Sequence, residues 1–156
     1  MTDIYDSEKR SAIMSRVRSA NTKPEVFVRK LLFARGFRFR IHKSDLPGKP
    51  DVVLPKWKTV VFVHGCFWHA HEGCRRAALP ASHNAFWAEK LTRNKERDRE
   101  VVAQLTTAGW RVLIVWECAC RAKFAEALSA RMEDFIREKR AAVGQIGRDH
   151  LAAPEV

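Results

Sequence analysis

The chain has 156 residues, which suits one domain, and 46% of them are hydrophobic against 30% charged, which excludes an intrinsically disordered chain. Lysine and arginine number 29 against 18 aspartates and glutamates, so the net charge of +11 favours nucleic acid as a partner, with an acidic membrane surface second. No apolar run reaches the roughly 18 residues of a membrane span and no signal peptide is expected, so we predict a cytoplasmic protein whose four cysteines are reduced.

The predicted elements follow from caps and periodicity in chain order. Helical spacing marks the first 20 residues, and a capping box at residues 22–25 begins a second helix that ends at Gly36. Alternating Phe and Arg over 37–41 predicts a half-buried strand, and 51–54 with 59–64 predicts a hairpin. Together with the elements that come after them, these predict a mixed α/β sandwich. Its remaining elements are a long helix over 86–108, a buried strand over 111–116, an amphipathic helix over 124–140 and a loose tail over 141–156.

Cysteine and histidine are concentrated just after the predicted hairpin. Cys66, His71 and Cys74 are separated by four and two residues, and a loop after the strand over 111–116 could return Cys118 or Cys120 to them. Three thiolates and one imidazole make a closed tetrahedral zinc site. The alternative is a set of buried free cysteines.

Carboxylate and imidazole groups fall at the ends of the predicted hairpin strands. Asp51 begins one strand and faces the end of the next, an arrangement that can hold Mg²⁺ in a hydrolytic nuclease. His69 is a candidate general base, since its ordinary pKa suits proton transfer at neutral pH. Otherwise Asp51 merely ends a loop, and His64 and His69 are polar residues near the zinc site. Glu25 is either the capping-box glutamate or an inward-facing carboxylate.

Two aromatic pairs accompany these residues, Phe67 with Trp68 and Phe86 with Trp87. On a basic protein, exposed rings suit stacking on bases or wedging between them, and core packing is the alternative.

The long helix has a polar interruption in its inward stripe. Asn94 and Asp98 fall on the same side as Leu91 and Leu105, so they either satisfy a buried network or reach the active centre. The flanking basic residues are phosphate contacts or a solvated face: Arg93, Lys95, Arg97 and Arg99.

Five runs match a known family and cover most of the chain up to about residue 140. They are MSRVRSANTKPE at 14–25, LPGKPD at 46–51, FVHGCFWH at 62–69, FWAEKLTRNKERD at 86–98 and GWRVLIVWECA at 109–119. On these runs the chain resembles the very short patch repair (Vsr) endonucleases, bacterial enzymes that nick DNA at T:G mismatches. The resemblance implies a restriction-endonuclease-like fold of the PD-(D/E)XK superfamily, with a mixed central sheet flanked by helices and a structural zinc. It also implies a single domain over residues 1–140, whose first 20 residues contact DNA.

The resemblance also implies roles for single residues. Asp51 and the backbone carbonyl of Val63 are expected to bind the catalytic Mg²⁺, with His69 as general base and His64 and Glu25 in support. The best-known members have threonine at the position of Val63, a difference that matters little if only the carbonyl binds. The glutamate and lysine usual in the superfamily are absent here.

Further residues are assigned by the same resemblance. The expected zinc ligands are Cys66, His71, Cys74 and Cys118, although the gap before the second cysteine is one residue longer than in some members. The expected DNA wedge comprises Phe67, Trp68, Trp87 and, in the N-terminal segment, Met14. Expected phosphate contacts are Lys90, Asn94 and Arg97.

The predicted function is a Mg²⁺-dependent endodeoxyribonuclease. It nicks 5′ of the thymine in T:G mismatches left by deamination of 5-methylcytosine. Double-stranded DNA is the expected substrate, MutL a partner, the nucleoid the location and a monomer the expected state. The alternatives are a restriction-type endonuclease of the same fold and a zinc-containing DNA-binding module without catalysis.

Overall fold

The computed structural model describes residues 21–41 and 43–151, so the helix predicted within the first 20 residues lies outside the described part. Helix α1 spans Lys23–Ala34. The Thr22 hydroxyl caps it by accepting a hydrogen bond from the Glu25 amide at 3.4 Å, and proline occupies the first turn, where no amide donor is needed. Gly36, with a φ of +89°, follows the helix end as predicted.

Four strands form one mixed sheet in the order β1-β2-β3-β4. Strand β1 pairs antiparallel with β2 as the predicted hairpin, whereas β2, β3 and β4 are parallel. Parallel strands end at one edge of a sheet, and β1, running the other way, begins at that same edge. The strands are β1 (Val52–Leu54), β2 (Thr59–His64), β3 (Arg111–Trp116) and β4 (Val143–Ile146).

The two later helices lie close to their predicted bounds. Helix α2 spans Asn84–Thr107 and helix α3 spans Ala125–Glu138. In the described ranges, none of the helices combines the length and the apolar character needed to cross a membrane.

Helices cover both faces of the sheet. Alternate side chains of a strand point to opposite faces. Val61 and Leu113 therefore pack with the buried residues of α1 and α3, whereas Val60 and Val112 pack with Leu105 of α2. The mixed α/β class predicted from the sequence is confirmed, and the edge where β2 and β3 end is left for the site.

The structure corrects two predicted elements. Residues 37–41 do not form a strand: Phe37 is buried, but backbone pairing is limited to one bridge between Arg40 and Val53 because β1 is only three residues long. The tail predicted over 141–156 is wrong for residues 143–146, which pair with β3 as β4. Residues 143–146 have a weak hydrophobic pattern, but their pairing satisfies the backbone amides and carbonyls along the edge of β3.

Candidate active site

An open cavity of about 620 Å³ lies at the edge of the sheet where β2 ends. Glu25 of α1, Asp51 before β1, Val63 and His64 at the end of β2, and His69 in the next loop all line it. The fold therefore brings the predicted catalytic residues into one place.

The carboxylate of Asp51 substitutes for a backbone partner at the end of the hairpin. Its Oδ2 accepts a hydrogen bond from the Val63 amide at 2.7 Å. Burial raises the pKa of Asp51 from 3.8 to about 6; the Val63 hydrogen bond opposes the rise and the nearby Glu25 carboxylate adds to it. A buried carboxylate that lacks full compensation is a group that a divalent cation would stabilise.

This raised pKa predicts how stability changes with pH. The protonated form of Asp51 is favoured by folding, so its stabilising effect is complete below about pH 3.8 and is lost as the pH rises through about 6. The loss amounts to up to about 3 kcal/mol, since one pKa unit equals about 1.4 kcal/mol. Without added Mg²⁺, Asp51→Asn should therefore melt at a higher temperature than the wild type at pH 7.5, and the difference should close near pH 4. Circular dichroism measures both melting temperatures. If Asp51→Asn and the wild type melted at the same temperature at pH 7.5 as well as near pH 4, the prediction would be contradicted.

Glu25 both supports the helix and faces the cavity. Its Oε2 accepts hydrogen bonds from the Asn21 amide at 2.8 Å and from Arg29 Nη2 at 3.1 Å, and only 5% of the residue is exposed. Only half of the predicted capping box is formed. The Glu25 backbone amide donates to the Thr22 hydroxyl, but the Glu25 carboxylate accepts from the backbone amide of Asn21 rather than from that of Thr22. The two roles left open by the sequence are compatible, since the same buried carboxylate lines the site.

A stacked histidine pair also lines the cavity. The rings of His64 and His69 lie 3.8 Å apart and nearly parallel. His69 Nδ1 lies 2.7 Å from Asp98 Oδ2. Because an ionised carboxylate can only accept, His69 donates Nδ1–H and keeps Nε2 as the nitrogen that can take a proton. Burial, with the charge of His69 adding, lowers the pKa of His64 to about 3, so that His64 is neutral at physiological pH.

Asp98, for which the sequence left open a buried network or a place at the active centre, lines the cavity and pairs with His69. It lies on α2, 29 residues after His69, and no local motif connects the two. The available signal was the polar interruption of the apolar stripe of α2. The other interrupting residue, Asn94, donates from Nδ2 to the Trp68 carbonyl at 3.1 Å and so connects α2 to the loop that carries His69.

The predicted wedge rings form a cluster at the rim of this site. Phe67, Trp68 and Trp87 contact one another edge to face, with centroids 5.3 to 5.8 Å apart, and Phe86 contacts Trp87 and is 59% exposed. The three wedge residues are half-buried and belong to none of the hydrophobic core clusters of the described chain. Lys90 lies 5.6 Å from the ring centres of both tryptophans. Aromatic rings that are partly exposed and outside the core can stack on bases.

The predicted zinc ligands converge beside the histidine wall. One ligand atom from each of Cys66, His71, Cys74 and Cys118 lies within 4.8 Å of the others. Cys120 is outside this group, and its Sγ faces the Trp116 carbonyl at 3.7 Å. Spacing alone left open whether Cys118 or Cys120 joins the cluster, and the structure places Cys118 in it.

Contacts from two segments, residues 116–117 and Arg148, surround this cluster. The Trp116 ring stacks on His71 at 4.1 Å, the Arg148 amide donates to Cys118 Sγ at 3.4 Å, and Glu117 Oε1 accepts from the Cys66 amide at 3.2 Å. Burial raises the pKa of the Cys66 and Cys118 thiols, and the neighbouring Cys74 raises both further. Three closely grouped thiols, whose thiolate forms a cation would stabilise, and one imidazole, which binds a metal in its neutral form, fit a structural zinc ion.

The remaining predicted residues are placed as follows. Arg97 is exposed and lines the cavity, as Asn94 does. Met14 and the predicted DNA-contacting segment over residues 1–20 lie outside the described residues.

Comparison with known proteins gives consistent relatives. Residues 2–76 match the family described as DNA mismatch endonuclease Vsr. The type II nicking enzyme V.NmeAIP of Neisseria meningitidis is 46% identical over 143 residues, which are 92% of this chain and all of that protein. The type II nicking enzyme V.XorIIP of Xanthomonas oryzae is 47% identical over 87% of this chain and 98% of its own length. The DNA mismatch endonuclease Vsr of Escherichia coli is 42% identical over 87% of this chain and 88% of its own length.

Proposed function

Because the chain belongs to the Vsr family of DNA mismatch endonucleases, and is therefore an endodeoxyribonuclease that nicks DNA, we propose that it cuts one strand 5′ of the thymine in T:G mismatches. The observation that carries this proposal is the aromatic cluster beside the carboxylate and histidine site. Deamination of 5-methylcytosine, which creates T:G pairs, is the proposed source of the substrate. The fold is proposed to be that of the PD-(D/E)XK superfamily.

The cavity residues support metal-assisted hydrolysis. Asp51 and the Val63 carbonyl would hold Mg²⁺, for which oxygen ligands are suitable. When bound, the ion supplies positive charge that polarises the phosphodiester. His69 Nε2 would take a proton from the attacking water while the water oxygen bonds to phosphorus. The P–O bond to the leaving sugar oxygen would break, and that oxygen would take a proton from solvent. Asp98 keeps the His69 ring oriented and stabilises its positive charge.

The two supporting residues act through their neighbours. His64 stays neutral against the His69 ring, so it holds the ring in place without adding a second positive charge beside it. Glu25 adds a second carboxylate next to Asp51 and favours a cation there.

Mismatch preference follows from the cost of separating bases. Phe67, Trp68 and Trp87 would enter the duplex at the weakened step, where unstacking costs least. Lys90, Asn94 and Arg97 would contact the phosphates on either side. A zinc ion in the cysteine cluster would fix the loop that carries Phe67, Trp68 and His69, since Cys66 and His71 enclose that loop.

The rate of nicking on mismatched and matched duplexes tests the proposal. With Mg²⁺ present, a T:G duplex should be nicked about 100-fold faster than the same duplex with T:A, because about 3 kcal/mol of unstacking separates the two. Trp68→Ala should reduce this ratio, and Phe33→Ala, which removes an exposed ring of α1, should keep it. Equal cleavage of both duplexes would instead identify a restriction-type endonuclease.

Protein partners and the oligomeric state stay predictions. MutL and a monomeric enzyme follow from the family resemblance alone, and a co-purification assay and light scattering would test them.

A further inference from the structure

The loop that leads into Asp51 has an unfavourable backbone conformation at a lysine. Lys49 has a φ of +48°, in the left-handed region that side chains with a Cβ rarely adopt. It also precedes Pro50, and a residue before proline is further restricted towards extended conformations. Such conformations persist where the surroundings impose them, and they concentrate at functional sites.

Packing of the preceding residue imposes this conformation. A Cβ on Gly48 would clash with Val101 Cγ1 on α2 and lie 3.2 Å from the Phe62 ring on β2, so the loop packs directly against both elements. The Lys49 amide donates to the Leu46 carbonyl at 3.1 Å, which closes the turn. Lys49 is therefore held at the wall of the cavity, two residues before Asp51.

The charges of the cavity explain what a lysine contributes there. Glu25 is paired with Arg29, and Asp98 is bonded to His69. Within residues 21–41 and 43–151, no carboxylate lies within ion-pair distance of Lys49, although the residue is exposed and lines the cavity. An unpaired side-chain cation would stabilise a DNA phosphate in a cavity that contains carboxylates, in addition to the proposed metal ion.

We propose that Lys49 is a catalytic residue whose ammonium group binds a non-bridging oxygen of the phosphate that is cut. This assignment rests on the proposed function of the cavity. Arg97 also lines the cavity, but it projects from the exposed surface of α2, whereas Lys49 shares a short, fixed loop with Asp51. The position of Lys49 is therefore fixed relative to the Asp51 carboxylate that would hold the metal ion.

The chain offers a matched control. Lys58, just before β2, also has a left-handed backbone, with a φ of +50°, but it lies at the opposite end of the strand, where its ammonium faces the Trp110 ring. Glycine relieves the backbone conformation at both positions. Lys49→Gly and Lys58→Gly should therefore melt no lower than the wild type. Only Lys49→Gly should lose activity, by tenfold or more in the single-turnover nicking rate on a T:G duplex.

A variant that keeps the charge and a measurement of salt dependence test the role of the ammonium group. Lys49→Arg keeps the charge and should stay within threefold of the wild-type rate. In Lys49→Gly, the slope of log kcat/KM against log salt should become shallower by about 0.9, the value for one phosphate contact. A Lys49→Gly rate equal to wild type, or a Lys49→Arg rate as low as that of Lys49→Gly, would overturn the assignment. Failure of the wild type to prefer T:G duplexes would instead contradict the proposed function.

Discussion

Replacing Asp51 by asparagine is expected to lower the nicking rate by about 1,000-fold or more while the protein stays folded. The amide oxygen of asparagine can still accept the hydrogen bond from the Val63 amide, so the local geometry is kept. The negative charge is lost, and with it the principal ligand proposed for Mg²⁺. A 1,000-fold loss corresponds to about 4 kcal/mol of transition-state stabilisation, which is within the range that a bound metal supplies.

A matched control comes from the same loop. Asp45 has a side chain that is 70% exposed and pairs with Lys43, so Asp45→Asn makes the same chemical change outside the cavity. Its nicking rate on a T:G duplex at saturating Mg²⁺ should equal that of the wild type. If Asp51→Asn nicks DNA as fast as Asp45→Asn, the metal site lies elsewhere. Because Asp51→Asn is also expected to raise thermal stability near neutral pH, lost activity cannot be ascribed to unfolding.

The second large effect concerns the cysteine cluster. The purified wild type should contain one zinc ion per chain, and Cys118→Ser should lose it and melt at a much lower temperature. Structural zinc contributes on the order of 10 kcal/mol, which is comparable to the whole stability of a domain. Elemental analysis and thermal melting with and without a chelator measure both quantities.

Cys120→Ser provides the comparison for this experiment. Cys120 is two residues away and largely buried, and burial raises its pKa to about 12, but it does not belong to the cluster. Its replacement should leave the zinc content unchanged and the melting temperature close to wild type. A wild-type protein free of zinc, with a melting temperature indifferent to chelator, would refute the zinc assignment.

Local chemistry made most of the fold predictable. The cap at Thr22 and the glycine at 36 mark the ends of α1, and the apolar run of β2 was identified with its observed bounds. Strand β4 was missed because it has little apolar alternation, and its reason to form is the open edge of β3 rather than its own pattern. Conversely, residues 37–41 have a strand pattern but find almost no partner.

The residues of the site also divide into those that the sequence could bring together and those that it could not. Residues close in sequence or connected by a hairpin could be placed together in advance, as Asp51 and Val63 were. The pairing of His69 with Asp98 depends on where α2 crosses the loop, which no spacing rule supplies. The conformation of Lys49 was likewise invisible, because it arises from the contact of Gly48 with Val101.

The hydrogen bond from Arg148 to Cys118 has a consequence for biosynthesis. Every residue that lines the cavity is translated before β4 and Arg148, yet these late segments complete the sheet and the surroundings of the cysteine cluster. A nascent polypeptide still attached to the ribosome at residue 140 therefore lacks those contacts. The surroundings of the cysteine cluster are thereby completed only after the segment that contains β4 and Arg148 has left the ribosome.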